Sequence, residues 1–372
     1  MQCPVREMLP NERADVEELF ARNLGIVDRI VFLLSFEDAM KSARRQSGGS
    51  LVAEYDGRIV GCVSVRVQQI GGRRTGFIDA LVADSGLRGR GIGRSLVDGA
   101  ISWLEGRGCE AIYATADRYN SPSWNTFIHR GFSVYELPQQ FRDYGLGFLR
   151  LWLGEFHFIG FGTFFIRRGQ GDEGPRETGE AWHLLAAWLG VSLVWWIQAL
   201  RAGLPLYYIP YFSAVAGLSL FAHELSQKLV GLRLGLETTF KAWGSGILLG
   251  SLLATVGSIF PAYGSTYVKK PDYWYDLGNK KEGVFFAVGP SVSLTLAFTF
   301  WVLSSLVTNG PLASSARVGY TMNLIIVIFN LIPVQAAGGF VWDGKKILSW
   351  SRVVWLTLLM ATAALVMIDR LL

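Results

Sequence analysis

Two short stretches hold residue types that could do chemistry. In "FAHELSQKL" (221–229), His223 and Glu224 are followed by Gln227. On a helix, positions i and i+4 share a face, so His223 and residue 227 point the same way. A histidine at both positions would bind zinc, with Glu224 acting on the metal-bound water. An aspartate from another segment would supply the third ligand and leave a fourth position open. With Gln227 in place, either one ligand has been exchanged or the His-Glu pair is a polar helix end. In "GLRGRGIGRSL" (86–96), the pattern Arg88-x-x-Gly91-x-Gly93 offers different chemistry. Glycines let the backbone approach a ligand closely, and N–H groups at the positive end of a helix attract anions. With Arg88, Arg90 and Arg94 beside them, they suit a pyrophosphate.

The elements around these stretches differ in kind. Of the 372 residues, 1–143 carry charges of both signs throughout, whereas from about Leu184 the charges retreat into clusters between apolar runs. Two domains are the default at this length. The three cysteines, Cys3, Cys62 and Cys109, have no metal spacing and suit a reducing cytoplasm. The N-terminus lacks the apolar core of a secretory signal. The net charge of +5 needs no nucleic acid, because the basic residues flank apolar segments.

Within the first part, "LVAEYDGRIVGCVSVR" (51–66) predicts a hairpin about Asp56-Gly57. The run 77–83 leads as a strand into the glycine-rich turn. Ile92, Leu96, Ala100, Ile101 and Leu104 recur with helical period, so a helix opens near Gly91–Gly93.

This segment resembles motif A of the GNAT superfamily of acyl-CoA N-acyltransferases, Arg/Gln-x-x-Gly-x-Gly/Ala. The next strand, "AIYATAD" (111–117), and "NSPSWNTFIHRGF" (120–132) extend the likeness, which covers about residues 1–150. It implies an α+β fold, a mixed sheet flanked by helices. It implies acetyl-CoA contacts at Leu81, Val82 and Ala83, at Arg88, Gly89, Arg90, Gly91, Ile92, Gly93, Arg94 and Ser95, and at Asn120. The partner would be an amine acceptor, such as a protein amine. Where the family offers a tyrosine as general acid the chain has Phe127, which cannot donate a proton to the departing thiolate. Asp79 is a candidate general base, against the plainer expectation of an exposed strand aspartate.

The second part reads as membrane-embedded. Residues 156–166 are too short to span a bilayer and read as a last strand or an interfacial segment. His157 there is expected as a packed or interfacial side chain. Residues 167–180 form a polar linker. Spans are expected at 184–200, 204–227, 284–307, 318–334 and 353–368. The Gly-, Ser- and Pro-broken stretch 243–268 is expected to enter and return, which keeps Lys269, Lys270, Lys280, Lys281, Lys345 and Lys346 on the cytoplasmic side. The chain is then a multi-pass membrane protein with a cytoplasmic N-terminal domain, and lipids and a membrane-protein substrate are its expected partners. Domains are expected at 1–150 and 181–372, joined by 151–180. On this topology Asp343 emerges on the side of His223.

"HELSQKLVGLRLGLETTFKAW", "EGVFFAVGPSVS" and "FNLIPV…WDGKKIL" resemble the site-2 protease family of intramembrane zinc metalloproteases over about 178–350. The resemblance implies an all-α polytopic domain, with His223 and Asp343 as zinc ligands and Glu224 as general base. It puts Asn330 where the family has a polar residue. Gln227 replaces the second zinc histidine and Ser293 the family's asparagine. An amide oxygen is a poor zinc ligand beside imidazole, so zinc proteolysis is expected to be weak or absent. Three readings stay open: a membrane-tethered N-acetyltransferase with a weakened protease-like half, a working intramembrane protease with a regulatory acyl-CoA-binding domain, and a non-catalytic acyl-CoA sensor on a pseudoprotease.

Overall fold

Residues of alternating polarity around Asp56-Gly57 form the hairpin that begins the N-terminal sheet. Asp56 and Gly57 have φ of 50° and 69°, the two positive values a tight primed turn requires. The computed structural model describes residues 3–43, 47–117, 121–155, 157, 162–169, 178–268, 280–334 and 341–371. They fall into two compact units, Met1–Glu177 and Thr178–Gln335 with Phe340–Leu372.

The first unit runs β1 (Val5–Glu7), α1 (Arg13–Asn23), α2 (Ile26–Ala43), β2 (Gly48–Tyr55), β3 (Arg58–Ile70), β4 (Arg73–Ala83) and α3 (Ile92–Glu105). It continues with β5 (Ala111–Asp117), α4 (Ser121–Ile128), β6 (Ser133–Val134), α5 (Leu137–Tyr144), α6 (Phe148–Gly154) and β7 (Thr163–Gly169). Seven strands make one sheet in the order β1-β2-β3-β4-β5-β7-β6. Only β4 and β5 are parallel among these pairs. The apolar run read as a last strand or an interfacial segment contributes β7, which pairs with β5 from Thr163–Asp117 to Gly169–Ala111.

Strand alternation divides the core between the two faces. Leu51, Val63, Val65 and Ile78 meet α3, whose Ile92, Leu96, Val97, Ala100, Ile101 and Leu104 form one buried stripe. Val52, Cys62 and Val82 meet Val16, Leu19 and Phe20 of α1 and Phe36 of α2. On that second face, toward β5 and β7, Trp152 of α6 is fully buried and its indole N–H bonds Gln140 of α5 at 2.7 Å.

The second unit comprises α7 (Glu180–Arg201), α8 (Ile209–Arg233), β8 (Thr238–Ala242), α9 (Gly244–Thr255), β9 (Gly264–Val268), α10 (Lys280–Leu306), α11 (Gly310–Leu331), α12 (Asp343–Trp350) and α13 (Arg352–Leu371). Four helices, α7, α10, α11 and α13, are long and apolar enough to cross a membrane. Of the five expected spans, the one at α8 has the length but is not among these four, since it carries His223, Glu224 and Lys228. The all-helical expectation holds for the spans, and the structure adds a two-stranded antiparallel sheet. Ala242 pairs with Gly264 across it, so the chain that leaves through α9 returns beside its own start. Lys269 and Lys270, on which the sidedness reading drew, lie outside the described residues.

His157 is buried, its ring edge-on to Trp152 and Phe165 at 5.2 and 5.4 Å, and its Nδ1 has no hydrogen-bond partner among the described residues. Burial pushes its pKa from 6.5 down to about 4. The folded ring is neutral where the unfolded ring takes up a proton, so stability falls as pH drops from about 6.5 to about 4. The loss should reach about 2–3 kcal/mol. In thermal unfolding of the intact chain in detergent, His157→Phe should flatten this acid slope. An unchanged slope in the variant would refute the assignment.

Candidate functional site

In the first unit the site is built where β4 ends. Pairing with β3 shifts register between Cys62 and Ser64, since Cys62 faces Val82 and Ser64 faces Asp79. The extra residues of β4 are Ala80 and Leu81, and Ala80 takes a φ of 20°, rare for a side-chain-bearing residue. Pairing with β5 is confined to 75–78 against 111–114. Beyond that bulge β4 and β5 part, leaving main-chain groups of 79–83 unmatched by β5.

The turn that follows is pinned on both sides. Asn23 of α1 accepts the Ser85 N–H, and Asp84 accepts the Gly86 N–H, each at 2.8 Å. Gly89 and Gly91 have φ of 78° and 80°, and Gly91 is the N-cap of α3. The first bond within the helix runs from the Ser95 N–H to the Gly91 carbonyl at 2.9 Å. The N–H groups of Ile92, Gly93 and Arg94 therefore have no intrahelical acceptor and sit at the positive end of the dipole. A side-chain carbon at Gly89 or Gly93 would meet no atom within 4 Å, so the cradle has room over it.

Val82 and Ile92 turn their side chains into the core, so only their main chains face the cradle; Leu81 and Ala83 are half-buried. Arg90 is engaged locally: its guanidinium bonds the Tyr55 hydroxyl at 2.6 Å and lies over that ring. Arg88 and Arg94 are exposed. Asn120 lies outside the described residues. Phe127 is 3% exposed and packs edge-on against Phe132 at 5.1 Å, so no proton donor stands at that position.

Asp79 corrects the expectation of an exposed strand aspartate. Its side chain is 5% exposed, and Arg66 grips both its oxygens, at 2.5 and 3.1 Å. The same guanidinium reaches Asp38 at 3.1 Å, the Gly154 carbonyl at 2.6 Å and Glu155 at 3.3 Å. Burial and the neighbouring Asp79 charge push the Glu155 carboxyl well above the usual range. Sequence reasoning missed Arg66 and Glu155; Glu155 lies 76 residues beyond Asp79, and no local pattern links them.

In the second unit, α8 carries His223, Glu224 and Gln227, all buried, and α12 begins at Asp343. With Asn330, Trp243, Tyr263 and Trp342 these four line one cavity of about 50 Å³. His223 Nδ1 lies 2.9 Å from the Ser293 hydroxyl, and Thr266 donates to Glu224 at 2.5 Å. The Gln227 amide donates to Asp343 at 3.3 Å, and Lys346 lies 3.4 Å from the other Asp343 oxygen. A side-chain carbon at Gly289 would come within 2.5 Å of His223 Nε2, so α10 approaches α8 closely here. Thr266 was missed because β9 sits inside a stretch read as a re-entrant membrane segment rather than as a strand.

A catalytic zinc takes three protein ligands and keeps one position open. Among the described residues no three His, Cys, Asp or Glu side chains come together to hold a metal. The cavity offers one imidazole, one carboxylate already met by an amide and an ammonium, and an amide turned to that carboxylate. This donor set does not fit a zinc ion.

Parts of this chain are similar to known proteins. Residues 14–132 match the acetyltransferase (GNAT) family. A protein of Methanocaldococcus jannaschii, named as a candidate zinc metalloprotease, is 33% identical over 135 residues, 36% of this chain. The match spans 66% of that relative's own length. Among solved structures, ribosomal-protein-alanine N-acetyltransferase from Brucella melitensis is similar at 20% identity and TM-score 0.32, covering 45% of this chain and 99% of that one. PaiA N-acetyltransferase from Thermoplasma acidophilum in complex with coenzyme A is similar at 12% identity and TM-score 0.34, again covering 45% and 99%.

Gly91 and Gly93 separate backbone need from open space. Gly91→Ala should destabilise the first unit by about 1–2 kcal/mol, the cost of a left-handed conformation. Gly93→Ala, inside a helix turn with nothing near, should be neutral or raise stability by up to about 1 kcal/mol. Denaturant unfolding of the two variants checks the order, and equal losses would contradict it.

Proposed function

We propose that the chain, which carries a GNAT acetyltransferase domain at its N-terminus, is a membrane-bound N-acetyltransferase whose second unit keeps the architecture of an intramembrane protease without its zinc chemistry. The observation that carries the reading is the glycine turn opening α3 at the point where β4 and β5 part.

Acetyl-CoA would supply an acyl group activated as a thioester. The N–H groups of Ile92, Gly93 and Arg94, with the exposed Arg88 and Arg94, would bind its pyrophosphate. The main chain of residues 80–83, released from pairing with β5, would orient the acyl end. Asp79, held by Arg66 beside the bulge, would take the proton of an acceptor amine, and Glu155, which holds its own proton to higher pH than an ordinary carboxyl, stands next to it. Phe127 donates nothing, so the departing thiolate takes its proton from water.

For the second unit, a His223, Gln227 and Asp343 set leaves zinc proteolysis weak or absent, and the polar cavity remains as a groove for a membrane protein. The buried Phe127 favours a second reading, a non-catalytic acyl-CoA sensor on a pseudoprotease.

Titration calorimetry and transfer of labelled acetyl groups to a panel of amines, both on the intact chain in detergent, separate these readings. Binding with transfer supports the enzyme, binding alone supports the sensor, and no binding refutes both. Gly93→Ala should weaken acetyl-CoA binding roughly tenfold, about 1.4 kcal/mol, while leaving the fold intact. Zinc content tests the second unit. The native chain should hold no stoichiometric zinc, and Gln227→His should acquire zinc that Asp343→Ala removes. A stoichiometric zinc in the native chain, lost on Asp343→Ala, would instead make the chain an intramembrane metallopeptidase with a regulatory acyl-CoA-binding domain.

A further inference from the structure

The first unit carries an apolar surface that its own core does not use. Along α2, Ile26, Ile30 and Leu34 recur every fourth residue and are 73%, 55% and 55% exposed. Phe141 of α5 and Leu153 of α6 are 56% and 66% exposed, and Leu146 between those helices 73%. The later part of α2 and the end of α6 come together at one buried side chain. Arg66 joins them, reaching Asp38 of α2 and the Gly154 carbonyl at the end of α6. Leu34 stands one turn before Asp38, and Leu153 directly precedes Gly154, so the two apolar ridges flank one junction. Among the described residues of α3, on the other sheet face, the apolar stripe is buried.

We propose that this face docks on the bilayer surface, with its apolar side chains at the acyl boundary. Exposed apolar side chains gathered on elements that meet at one junction mark an interaction site. The chain itself identifies the occupant. β7 ends at Gly169, and Glu180 begins an apolar helix long enough to cross a membrane. Ten residues separate them, a reach of at most about 35 Å. The end of β7 is therefore tethered within that reach of a helix able to cross a membrane. Exposed Arg142 and Arg150 stand among the apolar side chains, the combination that binds an anionic lipid surface. Docked this way, the junction at Asp38, which is 54% exposed, faces the membrane interface. The inference rests on the proposed acetyltransferase only for the meaning of that junction; the docking stands on the exposed face and the tether.

The test uses the intact chain in nanodiscs containing anionic phospholipid. Cys3, Cys62 and Cys109 are all buried, so a single introduced cysteine is labelled selectively. Leu34→Cys, Phe141→Cys and Leu153→Cys carry a fluorophore, with Ser102→Cys on exposed α3 as reference. A nitroxide lipid labelled near the headgroup should quench the first three several-fold more than Ser102→Cys, and iodide should quench them less. Iodide quenching equal to the reference would overturn the proposal, as would shielding from both quenchers, which means that protein covers the face. Acetyl-CoA binding measured on the same samples keeps the two questions apart. Binding without lipid quenching sinks the docking alone, and lipid quenching without binding sinks the acetyltransferase reading alone.

Discussion

Arg66 holds the first unit together at its most demanding point. One buried guanidinium meets carboxyl groups from α2, from β4 beside its bulge and from the end of α6, together with a main-chain carbonyl. Burial works against its charge, and the facing carboxylates keep it protonated. Such a cluster adds little net stability, because desolvation cancels most of the Coulomb gain. It is severe in what it forbids: losing one partner strands a buried charge at a cost of about 3–5 kcal/mol. The bulge at Ala80, the parting of β4 from β5 and the seat of α6 are thereby fixed relative to one another. The glycine turn beyond them inherits that rigidity.

The second unit answers the same requirement differently. Burying a histidine, a glutamate and an aspartate in one cavity demands partners. In the protease family that the sequence resembles, a metal ion meets much of that demand. Here protein groups do so: Ser293 for His223, Thr266 for Glu224, and Gln227 with Lys346 for Asp343. The amide at residue 227 supplies a donor to the Asp343 carboxylate. Ser293 also bonds one nitrogen of the His223 ring, a role that outer partners fill around metal-bound histidines.

What the sequence revealed follows how local each determinant is. The Asp56-Gly57 turn, the stripe of α3 and the Arg88-x-x-Gly91-x-Gly93 turn are written within a few residues, and the fold class came from the resemblance of that turn and of residues 120–132 to GNAT motifs. That Asp343 emerges on the side of His223 was expected from charge placement and the return of the 243–268 stretch, and the two line one cavity. The strands β8 and β9 were not expected. Five residues each, in apolar surroundings, they differ from helix only through pairing with one another across 26 positions. The burial of Asp79 was equally hidden, since it depends on Arg66 from the neighbouring strand and Glu155 from a later helix. The apolar ridge of α2 was overlooked because its charged neighbours Asp28, Arg29 and Glu37 give it the look of an ordinary soluble helix.

β7 sits between β5 and β6, one place in from the edge, and the connection to the membrane unit leaves from its end. Antiparallel hydrogen bonds lie perpendicular to the strands. A pull along β7 must therefore shear the pairings from Thr163–Asp117 to Gly169–Ala111 together, where a pull across an edge strand would unzip them one at a time. The first unit is thus moored through a mechanically strong element, and drag from lipid flow or from a moving membrane partner would turn the domain before it unravelled the sheet.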